Sequence, residues 1–145
     1  MKVKLLVVDD EAEIRELMSR HFRYRGYDVE TAEDGFVALD MLAQANYQVV
    51  ISDIMMPRMT GVQLLETIRQ QYPMIYVIMM TGYVTLENAL ACMQQGADTC
   101  IFKPIENMTD VQEAVEEAVN RLKHWQQKLK TLQAMNPKLK VSHHG

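Results

Sequence analysis

The chain has 145 residues, one domain at roughly 100–200 residues per domain. With 48% apolar and 23% charged residues it has the composition of a globular fold, which excludes wholesale disorder, and no apolar run is long enough to cross a membrane. The net charge of −4 hides an asymmetry: all 19 acids precede residue 121, while residues 121–145 hold six Lys/Arg and no acid. The acidic body argues against a general nucleic-acid binder. The opening MKVKLLVVDDE runs straight into acids without a small-residue cleavage site, so it does not read as a secretory signal. Cys92 and Cys100 form no metal or redox motif and fit free, buried thiols in a reducing cytoplasm.

Along the chain the pattern alternates. Val3–Val8 is a short Val/Leu run that stops at two aspartates, the signature of a strand buried on both faces. From Glu11 to Arg25, Ile14, Leu17, Met18 and Phe22 recur at helical spacing, and Gly26 is a stop. Tyr27–Ala32 reads as a second strand. Asp34 caps a helix through Ala45, with Val37, Leu39, Met41 and Leu42 inside it. Tyr47–Ser52 is a third strand ending at Asp53, followed by a Pro57-containing loop over 54–60. Thr60 caps a helix to about Tyr72, closed by Pro73. Ile75–Met80 is the fourth strand, ending at Thr81-Gly82. A helix over Thr85–Gln95 stops at Gly96, and Thr99–Phe102 is a fifth strand ending at Lys103-Pro104. A long helix starts near Asn107. Five β-α units in strict alternation predict an open, doubly wound α/β fold with a five-stranded parallel sheet and helices on both faces.

In such sheets ligands bind at the carboxyl ends of the strands. The residues there are Asp9, Asp10, Asp53, Thr81 and Lys103. Clustered carboxylates repel one another, and a hard divalent cation such as Mg²⁺, which takes oxygen ligands, relieves this. The lysine ammonium suits a phosphate or a carboxylate, and the threonine hydroxyl suits a third oxygen. The set fits phosphoryl transfer to an aspartate, where positioning and charge neutralisation carry most of the catalysis. Taken singly, Asp9-Asp10 reads equally as a strand end and helix cap, Lys103 as a surface lysine and Asp53 as a turn residue. Their joint placement at converging strand ends is what favours a site. The 12 methionines read as core filler, with Met55, Met56 and Met59 as loop residues open to a partner.

VVDDE at 7–11, SDIMMPRMTG at 52–61, MMTG at 79–82 and FKP at 102–104, each at a strand end, resemble the motifs of a response-regulator receiver domain of two-component signalling. The resemblance covers about residues 3–124 and implies the flavodoxin-like strand order 2-1-3-4-5. It implies that Asp53 is the phosphoacceptor, that Asp9 and Asp10 bind Mg²⁺ with Asp10 the more direct ligand, and that the Met55 backbone carbonyl is a further ligand. It also implies that Lys103 grips the phosphoryl group, that Thr81 follows it, that Gly82 lets a backbone N–H approach it, and that the Lys103–Pro104 bond is cis. Receivers carry Tyr or Phe three residues before the lysine. Here that place is Cys100, and the nearest aromatic is Phe102. Bulky Met55 and Tyr83 stand where the family tunes hydrolysis, which implies a hindered water.

The implied function is a phosphorylation-controlled switch rather than an enzyme, served by a sensor histidine kinase or phosphotransfer protein and acting on a downstream protein target in the cytoplasm. An aspartate-nucleophile phosphatase of haloacid-dehalogenase type is the alternative, but it wants a DxD motif, which neither Asp53 nor Asp9 begins. A pseudo-receiver that only dimerises fits poorly with the complete set of acids, Thr81 and Lys103. Residues 1–124 read as the receiver and 125–145 as a helical, basic extension, either of a stand-alone receiver or of one cut from a longer protein. The last helix repeats apolar residues at Met108, Val111, Val115, Ala118, Leu122, Trp125, Leu129 and Leu132, a heptad seam ended by Pro137. Its first half fits a sheet-packing face. Trp125, Leu129 and Leu132 project beyond the domain, which predicts a homodimer through this helix. Protein partners rank above nucleic acid for the surrounding lysines 123, 128, 130, 138 and 140.

Overall fold

The structure, a computed structural model, describes residues 2–82, 85–103 and 107–136. The elements alternate strictly: β1 Lys4–Val8, α1 Ala12–Tyr24, β2 Asp28–Ala32, α2 Gly35–Gln44, β3 Val49–Asp53, α3 Gly61–Gln71, β4 Tyr76–Thr81, α4 Leu86–Gln94, β5 Thr99–Phe102 and α5 Thr109–Met135. All four strand pairings are parallel, in the order β2-β1-β3-β4-β5. The strict alternation and the order implied by the resemblance both hold. Pro104, Tyr83, Pro137, Lys138 and Lys140 lie outside the described residues, and with them the expectations of a cis peptide bond and a water-hindering tyrosine.

Two apolar cores follow from the two-residue period of the strands. Leu5, Val7, Val49, Ile51, Ile78 and Met80 face α1 and α5, meeting Ile14, Met18, Phe22, Val111 and Val115. Leu6, Val8, Val50, Val77 and Met79 face the other way, onto Leu42 of α2, Leu64, Leu65 and Ile68 of α3 and Cys92 of α4. The inner face of α2 is built on Gly35, Ala38 and Leu42, with Val37, Leu39 and Met41 only partly covered.

Local signals fix the boundaries. Asp34 accepts from the Val37 N–H, Thr60 forms a reciprocal capping box with Gln63, and Thr85 accepts from the Asn88 N–H. Gly26 and Gly96 follow the ends of α1 and α4 with φ of 93° and 96°, the left-handed region that lets a chain leave a helix. Two expectations fail in detail. Met56 is buried and Met59 half-buried against the core, because the loop after β3 turns back at Arg58, leaving Met55 as the exposed methionine there. Cys100 is only half-buried, since β5 is an edge strand, while Cys92 is fully buried with its thiol pushed up to about 11 by burial.

In α5 the residues Val111, Ala114, Val115 and Ala118 are buried. Beyond them the helix continues past the sheet, and Trp125, Leu129 and Leu132 are 51%, 38% and 44% exposed. Among the described residues no helix is long and apolar enough to cross a membrane.

Candidate functional site

The carboxyl edge of the sheet gathers the polar strand ends. Asp53 is the last residue of β3, Thr81 the last of β4, and Asp9 and Asp10 follow β1 directly. Lys103 follows β5, and its backbone N–H donates to the Thr81 carbonyl at 2.9 Å. Parallel pairing puts all these ends on one side, which is why residues up to 94 apart in sequence meet.

Lys103 lies at the centre. Its Nζ is 2.9 Å from Asp53 Oδ2, 3.1 Å from Asp9 Oδ2 and 2.5 Å from Glu11 Oε1, and its side chain is only 8% exposed. Burial opposes its charge, but hydrogen bonds to Glu11 and Asp53 and the Asp53 and Asp9 carboxylates outweigh this and hold its pKa above the usual lysine value. Asp9 and Asp53 are both buried. Burial raises the pKa of each, against the lowering effects of the Glu11 N–H and Lys103 on Asp9, and of Lys103 and the Met55 N–H on Asp53.

Carboxylate oxygens of Asp9, Asp10, Glu11 and Asp53 all lie within 4.8 Å of one another. Asp9 Oδ1 accepts from the Glu11 N–H at 2.8 Å, so Asp9 also organises the turn into α1. Its Oδ2 is buried and receives no well-directed hydrogen bond, although Lys103 stands nearby. Four acids facing one ammonium leave a local excess of negative charge. All the donors are oxygens, a set that fits a hard divalent cation. Met55, two residues past Asp53, places its N–H 3.3 Å from Asp53 Oδ1.

Two residues were not singled out from sequence. Glu11 takes a share of Lys103 that only folding reveals, although it belongs to the VVDDE string. Gly61 opens α3 so close to β3 that a Cβ there would stand 2.1 Å from the Asp53 carbonyl oxygen, so only glycine fits. Gly82 is less constrained: a Cβ there would make ordinary contact with Lys103 Cδ at 3.6 Å. Cys100 packs against the α2–α4 core, whereas Phe102, two residues on, is exposed and pairs in register with Thr81.

Residues 5–116 match the model of the response regulator receiver domain. The DNA-binding transcriptional regulator NtrC of Escherichia coli K12 is 38% identical over 121 residues, 83% of this chain but 25% of that protein. The chain thus spans about a quarter of that relative, and half of the mycobacterial response regulator MprA, which is 32% identical. Among solved structures, a CheY-like receiver from Methanospirillum hungatei JF-1 superposes with a TM-score of 0.81 at 31% identity, covering 86% of this chain and 98% of that one. The response regulator TrrA of Thermotoga maritima, solved in complex with Mg²⁺-BeF, gives 0.73 at 35% identity, covering 81% and 99%. The match over most of the chain and the shared fold lead to one conclusion: the chain belongs to the response regulator receiver domain family of two-component systems.

Proposed function

We propose that Asp53 accepts a phosphoryl group from a sensor histidine kinase or a phosphotransfer protein, in a Mg²⁺-dependent reaction, and that the modified domain changes its binding to a downstream protein target in the cytoplasm. The observation that carries this reading is the buried Asp53 carboxylate paired to Lys103 within a cluster of four acids. In the transfer, one Asp53 carboxylate oxygen forms the new P–O bond while the P–N bond to the donor histidine breaks, the electron pair staying on that nitrogen. Lys103 loses its pairing with Asp53 Oδ2 as that charge moves to the phosphoryl oxygens, and it follows them as a point charge. Thr81 supplies a hydroxyl at the neighbouring strand end. Asp9, Asp10, Asp53 and the Met55 carbonyl would hold Mg²⁺, which would neutralise charge between carboxylate and phosphoryl oxygens.

The receiver corresponds to residues 1–124 in this proposal, and residues 125–145 to an extension that pairs the protein as a homodimer through α5. The half-exposed Trp125, Leu129 and Leu132 support the pairing.

Incubation with acetyl phosphate and Mg²⁺, followed by intact mass, tests the assignment. One phosphoryl group is expected on the wild type and none on Asp53→Asn. Equal labelling of the variant would overturn it.

A further inference from the structure

The loop from Ile54 to Thr60, between β3 and α3, is held at both ends by its backbone. Ile54 N–H donates to the Met80 carbonyl and Gly61 N–H to the Ile54 carbonyl, each at 2.8 Å. In its middle stands Arg58, with φ of 68°, the left-handed region that a residue with a side chain enters at a cost. A glycine or asparagine would take this conformation more easily; the arginine that stands here keeps its side chain 67% exposed and commits its inner end to one partner.

That side chain ends on Asp34. The Arg58 Nη2 pairs with Asp34 Oδ2, and the Asp34 side chain is 4% exposed. Asp34 Oδ1 separately accepts from the Val37 N–H at 2.9 Å. The cap of α2 is therefore complete without Arg58, and the ion pair serves the loop rather than the helix. The next residue adds a second attachment: Met59 packs over Gly35, where a Cβ would stand 2.5 Å from the Met59 Sδ. Two consecutive loop residues are thus fastened to the first turn of α2. The same loop begins at Asp53 and carries Met55, whose N–H reaches Asp53 only at 3.3 Å, too long to hold the loop by itself.

We infer that Arg58 and Asp34 form a latch whose role is to position the Ile54–Thr60 loop, and with it the Met55 backbone, for cation binding beside Asp53. The inference rests on the proposed Mg²⁺ site, and it makes both members positioning residues that touch neither cation nor phosphoryl group. Without the latch, the loop keeps only the Met59 contact and its two anchored ends.

The experiment uses the full chain with Arg58→Gly, which removes the side chain and the strain, and Asp34→Asn, which keeps the cap and removes the charge. Arg58→Lys and the double variant complete the set. Mg²⁺ titration by calorimetry should show each single variant binding more weakly, by about tenfold at most, the range of indirect coupling between sites. The double variant should be no weaker than either single one, because one interaction is lost in each case. Arg58→Lys should recover part of the affinity. In the metal-free protein, amides of Met55, Met56 and Met59 should exchange faster in Arg58→Gly while that of Ala38 in α2 is unchanged. Acetyl phosphate labelling at saturating Mg²⁺ should stay within about twofold of wild type, since the loss lies in affinity. Unchanged Mg²⁺ affinity, an additive double variant, or unchanged loop exchange would overturn the latch. A wild type that binds no Mg²⁺ would instead overturn the metal site on which the positioning role rests, and the exchange measurement would still decide whether the pair fastens the loop.

Discussion

The two edges of the sheet each hold a cluster of acid and base, and the clusters differ in their balance. At the base, where strands begin, Asp98 Oδ2 takes Arg69 at 2.6 Å and the Val77 N–H at 2.8 Å, and Arg121 approaches its Oδ1 at 3.7 Å. Arg69 also donates to the carbonyls of Gly96 and Ile75, each at 2.6 Å. Two guanidinium groups serve one carboxylate, and the set ties α3, β4, β5 and α5 together. At the carboxyl edge the ratio is reversed: Asp9, Glu11 and Asp53 share Lys103, with Asp10 a fourth acid beside them. A saturated cluster has nothing left to bind and holds the fold. An unsaturated one costs the fold something and is responsive to added positive charge.

The largest expected effect breaks the comparison by sign. Asp98→Ala removes the carboxylate partner of Arg69 and leaves the Val77 N–H without its acceptor, and should cost about 3 kcal/mol in a urea melt at pH 7. Asp53→Asn should instead stabilise the metal-free protein, by a fraction of that amount. The pKa values of Asp53 and Asp9 are raised in the folded state, so between 3.8 and those raised values the native protein holds protons that the unfolded chain has released. Wild-type stability therefore falls as pH rises through that window. The advantage of Asp53→Asn should be fullest at neutral pH and should close as pH drops toward the ordinary aspartate range. Loss of stability in both variants would remove the distinction between the two edges.

Added cation sharpens the same contrast. Mg²⁺ at a hundredfold excess over its dissociation constant should stabilise the wild type by about 2.7 kcal/mol. Asp98→Ala should keep the whole of that increment, because its lesion lies at the other edge. Asp10→Ala should lose it. Thermal melts with and without Mg²⁺ measure both, and an undiminished shift in Asp10→Ala would contradict that ligand.

The sequence showed one edge far better than the other, for physical reasons. Strand ends are punctuated: Asp9-Asp10, Asp53, Thr81 and Lys103 each interrupt an apolar run, and parallel strands bring such interruptions together. The caps Asp34 and Thr60 were legible because their signal is local. Asp98, Arg69 and Arg121 carry no such mark. They lie on α3, just before β5 and on α5, 23 to 52 residues apart, and only packing joins them. Glu11 was visible as a neighbour of the acid pair, but its reach to Lys103 depends on the spacing of β1 and β5. The inward turn of Met56 and Met59 depends on one left-handed residue, Arg58, which propensity alone would not place there.

The smallest expected effect on stability concerns α5, whose halves repeat the contrast within one helix. Residues 109–120 hold four acids and no Lys/Arg and bury Val111, Ala114, Val115 and Ala118. From Arg121 to Met135 the charges are all basic, and Trp125, Leu129 and Leu132 stay half in water. Full burial of each would gain about 1.5–3 kcal/mol, enough to favour a partner surface. A second copy is the simplest partner, since a closed twofold pair covers both stripes at once. An acid-free tail meets less repulsion against the acidic body of its neighbour than against another tail, so added salt should weaken the pair. Truncation after Lys123 removes side chains outside both cores and, at dilutions where the wild type is monomeric, should leave folding stability within about 0.5 kcal/mol of wild type. It should also leave phosphoryl acceptance intact while converting a dimer to a monomer in sedimentation velocity. A full-length chain that sediments as a monomer at high micromolar concentration would refute the pairing and return the stripe to its own domain, where Trp125 already borders Met74 and Tyr76.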